Sequence, residues 1–366
     1  MIEVKRALRA LVKRKPQGGK EEDPSWLVLS RNESHFGVSP KVREALAEAG
    51  DTLSLYPENT GWTLRQVLAA FYGISPEKIL LGNGSFELIW LIASVYLGAG
   101  DESILPAATF GAYKKYTQLA GASVVSVPLH EGDIDLEKIL SHVTGRTKII
   151  WLCNPNNPTG RCIPEGEIRR FLDEVPSHVL VVLDEAYIEF TAGYDPEKSV
   201  EILKDCANVL LLRTFSKFYG LASLRMGYAM GSEEIIDTLF QFRIGPNHSR
   251  IAEKAALASI EDTAFQEEVR QRYGQEKEAL YTAFQRLRIP FWRTETNFIL
   301  FRVPGIPAAE VVKDFGMARI RVRDAAVFGL PGWVRLSFGN ESDHRHVLSV
   351  LTDILASTGA GHKKCE

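Results

Sequence analysis

Four stretches of this 366-residue chain carry side chains whose types and spacing suit chemistry. Asp184-Glu185-Ala186-Tyr187 follows the apolar run Val179–Leu183. A carboxylate at the end of a buried strand is costly unless it meets a cation, such as a protonated pyridine nitrogen, or caps a following helix. The residues alone leave those two readings even. Thr214-Phe215-Ser216-Lys217 follows Val209–Leu212. Desolvation at such a strand end favours the neutral amine of lysine, which attacks carbonyl carbon. An isolated lysine reads more simply as a surface charge. Arg225, eight residues on, joins Thr214 and Ser216 in a hydroxyl-and-guanidinium set suited to phosphate, or forms a surface ion pair. Asn154-Pro155-Asn156-Asn157-Pro158-Thr159-Gly160 is a rigid loop that presents amides, with more special residues than a plain turn needs. Leu81-Gly82-Asn83-Gly84-Ser85-Phe86-Glu87 leads into a helix whose free N–H groups suit an anion. It lacks the third glycine of G-x-G-x-x-G and the Gly-Lys-Ser/Thr of a nucleotide phosphate loop.

The elements around these stretches predict an open α/β fold. Short apolar runs recur at Val124–Val127, Lys148–Leu152, Val179–Leu183 and Val209–Leu212, with helical stretches between several of them. That pattern indicates a parallel sheet covered on both faces, with ligands at the C-terminal strand ends. Upstream, Ser39-Pro40 predicts a capped helix start and Gly50 its stop. Further helices are expected over about Trp62–Phe71 and from Ser85 to Gly98. After residue 250 the pattern becomes smaller and α+β. Long helices are expected over Ile251–Ile260 and Thr263–Leu287. Strands follow near Asn297–Val303, Arg319–Arg323 and Trp333–Phe338, then a last helix over Ser342–Leu355. Arg335 alternates with Val334 and Leu336 in a period-two strand. The expected organisation is an arm (1–31), a large domain (32–250) and a small C-terminal domain (251–366).

Composition narrows the classes. Forty-three basic and 46 acidic residues give a net charge of −3, against a nucleic-acid binder. No apolar run is long enough to span a bilayer. Cys153, Cys162, Cys206 and Cys365 form no C-x-x-C pair and suit a reducing cytoplasm. His344 and His346 are badly spaced for a shared metal, and neither H-E-x-x-H nor G-x-S-x-G occurs, so no metal is expected. Lys5, Arg6, Arg9, Lys13, Arg14, Lys15 and Lys20 flank Val4, Leu8, Leu11 and Val12 at helical spacing. This segment could be a transit peptide or a membrane-surface helix, but reads more simply as an arm packed on a partner subunit; Glu3 and the missing serines count against a transit peptide.

Taken together and in this order, the stretches resemble the fold-type I pyridoxal-phosphate aminotransferases, and among them the histidinol-phosphate aminotransferase family. The likeness runs from Arg31-Asn32-Glu33-Ser34, through Tyr56-Pro57-Glu58, to Trp333-Val334-Arg335-Leu336-Ser337-Phe338-Gly339. It implies a mainly parallel seven-stranded sheet in the large domain, beside a smaller α+β domain. It also implies that Lys217 carries pyridoxal 5′-phosphate and moves the substrate's Cα proton. Asp184 would keep the pyridine nitrogen protonated, and Tyr187 and Asn157 would hydrogen-bond the ring's 3′ oxygen. Gly84, Ser85, Thr214, Ser216 and Arg225 would hold the phosphate. Phe110 would stack on the ring where the family usually has tyrosine. Arg335 and Asn32 would meet substrate. Arg323 fits a substrate contact or an exposed strand-end charge equally well. Tyr56 would reach the neighbouring subunit of a homodimer.

Departures from the family pattern gather where substrate is chosen. They are Phe86 after the Gly-Ser, Ser223 before Leu224-Arg225, the missing proline after Asn32-Glu33, and Asn247-His248-Ser249-Arg250. The expected reaction exchanges an amino group between an amino acid or amino phosphate and a 2-oxo acid. An aromatic amino-acid aminotransferase, suggested by Tyr219-Gly220-Leu221, and a threonine-phosphate decarboxylase are the nearby alternatives. A cofactor-binding sensor is disfavoured because no basic helix-turn-helix precedes Asn32. A dinucleotide oxidoreductase is disfavoured by the absent glycine fingerprint.

Overall fold

A computed structural model describes residues 23–361, with side chains to residue 356. The basic segment expected to form an arm lies outside the described residues. In chain order, β1 (Leu27–Val28) comes first. Seven strands then build the main sheet: β2 (Ile79–Gly82), β3 (Glu102–Pro106), β4 (Ser123–Val127), β5 (Thr147–Cys153), β6 (Leu180–Asp184), β7 (Val209–Thr214) and β8 (Gly227–Gly231). Their spatial order is β2-β8-β7-β6-β5-β3-β4. Pairings from β4 to β7 are parallel, whereas β8 runs antiparallel to both its neighbours.

Alternate residues of the central strands face two separate cores. Ile149, Trp151 and Cys153 join the side chains of helices Ser85–Tyr96, Ala112–Ala120 and Glu233–Phe242. Ile150 and Leu152 face the opposite core, with Leu64 and Leu68 of helix Trp62–Tyr72 and Phe171 of helix Glu165–Glu174. Burial on both faces explains why these strands read as continuous apolar runs. Each fully buried leucine or isoleucine there contributes about 1.5–3 kcal/mol of transfer free energy.

Four more strands form an antiparallel sheet of order β12-β13-β10-β9. They are β9 (Phe291–Trp292), β10 (Phe298–Phe301), β12 (Arg323–Asp324) and β13 (Val334–Ser337), while β11 (Ile320–Arg321) pairs in parallel with β1. The single strand expected over Arg319–Arg323 is therefore two strands in two sheets, broken at the buried Val322. Helices Thr263–Arg286, Ala308–Met317 and Glu341–Gly361 cover this half, whereas Arg250–Glu261 packs on helices Pro40–Glu48 and Trp62–Tyr72.

Ser39 does not cap its helix. Its side chain makes no cap bond. Instead its Oγ donates to Asp262 Oδ2, while Asp262 Oδ1 caps helix Thr263–Arg286 through the Phe265 N–H. A long-range partner has replaced the local one. The helix after Ser39 spans Pro40–Glu48 and passes into a tighter turn at Ala49–Thr52, around Gly50.

Candidate active site

The C-terminal ends of β5, β6 and β7 bring three of the four stretches to one edge of the sheet. Asp184 ends β6 and is 3% exposed. Its Oδ2 accepts the Tyr113 hydroxyl at 2.6 Å, and its Oδ1 accepts the Ala186 N–H at 3.3 Å. Burial pushes this carboxyl up to about 6, against both hydrogen bonds, which favour the charged form. The sequence left helix capping and cation binding open. The Ala186 bond is cap-like, yet both donors are neutral and the buried charge is left to be balanced.

Lys217 lies just beyond β7. Its Nζ donates to the Arg31 carbonyl at 2.9 Å. Desolvation, then the charges of Arg335 and Arg225, outweigh the opposing charge of Glu33 and bring the amine down to about 8. A large fraction is therefore neutral and nucleophilic at mildly alkaline pH.

The anion grip is assembled from backbone as much as side chains. Gly84 precedes helix Ser85–Tyr96 with φ +74°, and a Cβ there would lie 2.5 Å from Arg225 Nη2. A Cβ on Gly227 would lie 2.5 Å from the Ser85 nitrogen. Only glycine lets the helix start, β8 and the guanidinium converge this closely. Arg225 itself is in the left-handed region (φ 54°), an unusual state for a side-chain-bearing residue. Its Nη1 donates to Ser216 Oγ at 3.3 Å and to the Ala222 carbonyl at 2.9 Å. Thr214 Oγ1 accepts the Ser216 N–H at 3.1 Å.

Opposite this grip, a hydrogen-bonded chain crosses from the second sheet. Arg335 of β13 is 5% exposed and lies over Phe298 and Phe328, at 5.2 and 4.9 Å from the ring centroids. Its Nη1 donates to Asn157 Oδ1 and its Nη2 to the Ser30 carbonyl, whereas its buried Nε has no partner. Burial first of all lowers it to about 10. Asn157 Nδ2 and Asn32 Nδ2 both donate to the Tyr187 hydroxyl, at 3.4 and 2.9 Å. Asn32 is fixed in turn by Ser337 Oγ at 3.1 Å and holds φ 57°. Phe110 packs edge-on against Tyr113 and Phe86.

Arg323 flanks this cluster at its exposed rim, and Tyr56 stands apart from it. Arg323 is exposed on β12, directly across the ladder from Arg335. Tyr56 has its side chain in solvent, 85% exposed, while its carbonyl is held by Arg250 Nη2 at 2.6 Å.

Sequence reasoning missed Tyr113 and the pair behind Asp184. Glu185 turns away from the cluster and takes two hydrogen bonds from Arg213, at 2.7 and 3.0 Å, and Arg213 is fully buried. The signal was available. A charge inside an apolar strand, with a carboxylate just past the end of the neighbouring strand, suggests a buried pair. The expected run stopped at Leu212, whereas the strand continues through Arg213 to Thr214.

A family model described as aminotransferase class I and II matches residues 24–351. The chain belongs to that family. It is a pyridoxal-phosphate-dependent aminotransferase of fold type I. Its relatives include a histidinol-phosphate aminotransferase of Brevibacillus brevis, 36% identical over 334 residues, which are 91% of each chain. Among solved structures, the histidinol-phosphate aminotransferase of Sinorhizobium meliloti in complex with pyridoxal-5′-phosphate superposes with TM-score 0.84 at 27% identity, covering 91% of both chains. The L-threonine-O-3-phosphate decarboxylase of Porphyromonas gingivalis superposes with TM-score 0.79 at 25% identity, covering 90% of this chain and 99% of that one. The aminotransferase has residues that fit its cofactor: a buried carboxylate lacking a cation, an amine of lowered proton affinity and a glycine-lined anion cradle. No described helix is long and apolar enough to cross a membrane.

Proposed function

We propose that this aminotransferase acts on histidinol phosphate, with glutamate and 2-oxoglutarate as its second pair. The observation that carries the reading is the side-by-side arrangement of Arg335 and Arg323 on adjacent strands, with Arg335 Nε free to donate. A phosphate carries about −1.5 to −2 charges and three acceptor oxygens, which suits two guanidinium groups better than one carboxylate does. Phe328, packed on the Arg335 guanidinium, adds apolar surface beside the pair. The relatives named above support the same substrate.

When bound, pyridoxal phosphate supplies an aldehyde carbon that takes up amines and a ring that draws electrons from the substrate's Cα. In this reading Lys217 holds that carbon and moves the Cα proton. Asp184 keeps the ring nitrogen charged, and Tyr187 and Asn157 hold the ring oxygen. Gly84, Ser85, Thr214, Ser216 and Arg225 grip the phosphate, and Phe110 covers one ring face. Asn32 braces Tyr187 and borders the substrate beside Arg335.

The same reading divides the chain at about residues 31 and 250 and places the enzyme in the cytoplasm, consistent with the free thiols of Cys153, Cys162 and Cys206. It makes the active unit a homodimer. Leu53, Leu55, Tyr56, Phe242 and Ile244 are all exposed. A cavity of about 750 Å³ opens beside Arg225, lined in part by Phe86, Trp90 and Ile244, and leaves room for Tyr56 of the partner subunit.

A substrate panel tests the proposal. The cofactor-loaded enzyme is incubated with 2-oxoglutarate and histidinol phosphate, phenylalanine, tyrosine or threonine phosphate. Glutamate should form with histidinol phosphate at a kcat/KM at least about tenfold above the aromatic amino acids, an advantage near 1.4 kcal/mol in the transition state. Preference for phenylalanine would replace the substrate. Carbon dioxide release from threonine phosphate without glutamate would replace the reaction.

A further inference from the structure

Tyr113 is the second residue of helix Ala112–Ala120 and is fully buried. Its ring stacks on Trp151 of β5, with centroids 5.2 Å apart and planes 8° from parallel. The edge of Phe110 meets it at 5.7 Å and 81°. This leaves the phenol no room to swing, and its oxygen falls 2.6 Å from Asp184 Oδ2. Burial, with the charge of Asp184, raises the phenol well above its ordinary range, so the proton stays on Tyr113 and the hydroxyl donates. The other carboxylate oxygen, Oδ1, is held only by the longer Ala186 bond and keeps acceptor capacity.

We propose that Tyr113 is a positioning residue for the cofactor: its hydroxyl locks one oxygen of the Asp184 carboxylate and keeps that group charged toward the ring nitrogen. The inference rests on the role given to Asp184 above. It goes beyond that role, because a tyrosine on a different element sets how firmly the carboxylate is held. The Trp151 stack makes the mount rigid, and exclusion of water strengthens the bond. A hydrogen bond to a charged group in such a place changes an equilibrium by about ten- to a hundredfold.

The test is a double-mutant cycle read as the dissociation constant for pyridoxal phosphate, measured by fluorescence titration of the apoprotein. Tyr113→Phe removes only the oxygen and keeps the ring stack. It should weaken cofactor binding about tenfold. In an Asp184→Asn background the same change should cost less than about twofold, because the partner charge is already gone. Tyr113→His, which keeps a ring donor, should recover part of the loss, and it supplies the reading if the phenylalanine variant does not fold. An equal loss in both backgrounds would mean a merely structural role and overturn the proposal. So would unchanged affinity in Tyr113→Phe, or a histidine variant no better than phenylalanine. If Asp184→Asn alone leaves affinity unchanged, the role of Asp184 fails first, and that result is distinct from the others.

Discussion

At the scale of single residues, burial moves Lys217 and Asp184 toward their neutral forms from opposite sides. The amine falls to about 8 and the carboxyl rises to about 6. Each is thereby primed for a partner: an aldehyde carbon for the amine, a cation for the carboxylate. These two residues were legible because each ends an apolar run, where a charged side chain needs a reason. Tyr113 was not legible, since nothing in its local spacing separates it from an ordinary aromatic on a helix face. Gly84 offers the sharpest single-residue prediction. A methyl group there meets Arg225 Nη2 at 2.5 Å and must also adopt φ +74°. Gly84→Ala should weaken cofactor binding about tenfold, following a backbone cost of order 1–3 kcal/mol. Equilibrium dialysis of pyridoxal phosphate against the variant checks this. Wild-type affinity would place the phosphate elsewhere.

At the scale of elements, the long periodic helices and the runs that became β4, β5, β6 and β7 were plain in the sequence, whereas the buried β2, β3 and β8 were not. Val209–Leu212 grew to Thr214 because Arg213 is neutralised by Glu185 on the adjoining chain segment, a tertiary fact that strand propensity does not encode. Glu102–Pro106 carries glutamate and proline at its ends, and Gly227–Gly231 has glycine at both of its ends. Both are poor strands by composition, and both are held by their neighbours. Glu102 is satisfied by Thr144, Thr147 and Arg146. Gly227 is glycine because the helix start at Ser85 presses against it. The unsupported cap at Ser39 shows the converse: a good local signal was overridden by Asp262, 223 residues away.

At the scale of the whole molecule, the second sheet delivers Arg335 and the segment just after β1 delivers Asn32 to the edge of the first sheet, so the site exists only when both are docked. No periodicity announces that meeting, and resemblance to a family carried it. The exposed Phe242 and Ile244, 65% and 67% accessible, form apolar surface of a kind that marks interfaces. Sedimentation equilibrium should therefore give twice the chain mass, and Ile244→Asp should produce monomers with weakened cofactor binding. A wild-type monomer that binds the cofactor fully would refute the shared site. The most direct measurement of the central claim is where and when the chain captures its cofactor. Apoprotein is mixed with pyridoxal phosphate across a pH series, trapped with borohydride, digested and mapped by mass spectrometry. The neutral amine is the reacting form, so capture should rise with pH through a midpoint near 8 and mark Lys217. A label on another residue, or a midpoint at the ordinary lysine value of about 10.4, would contradict the account.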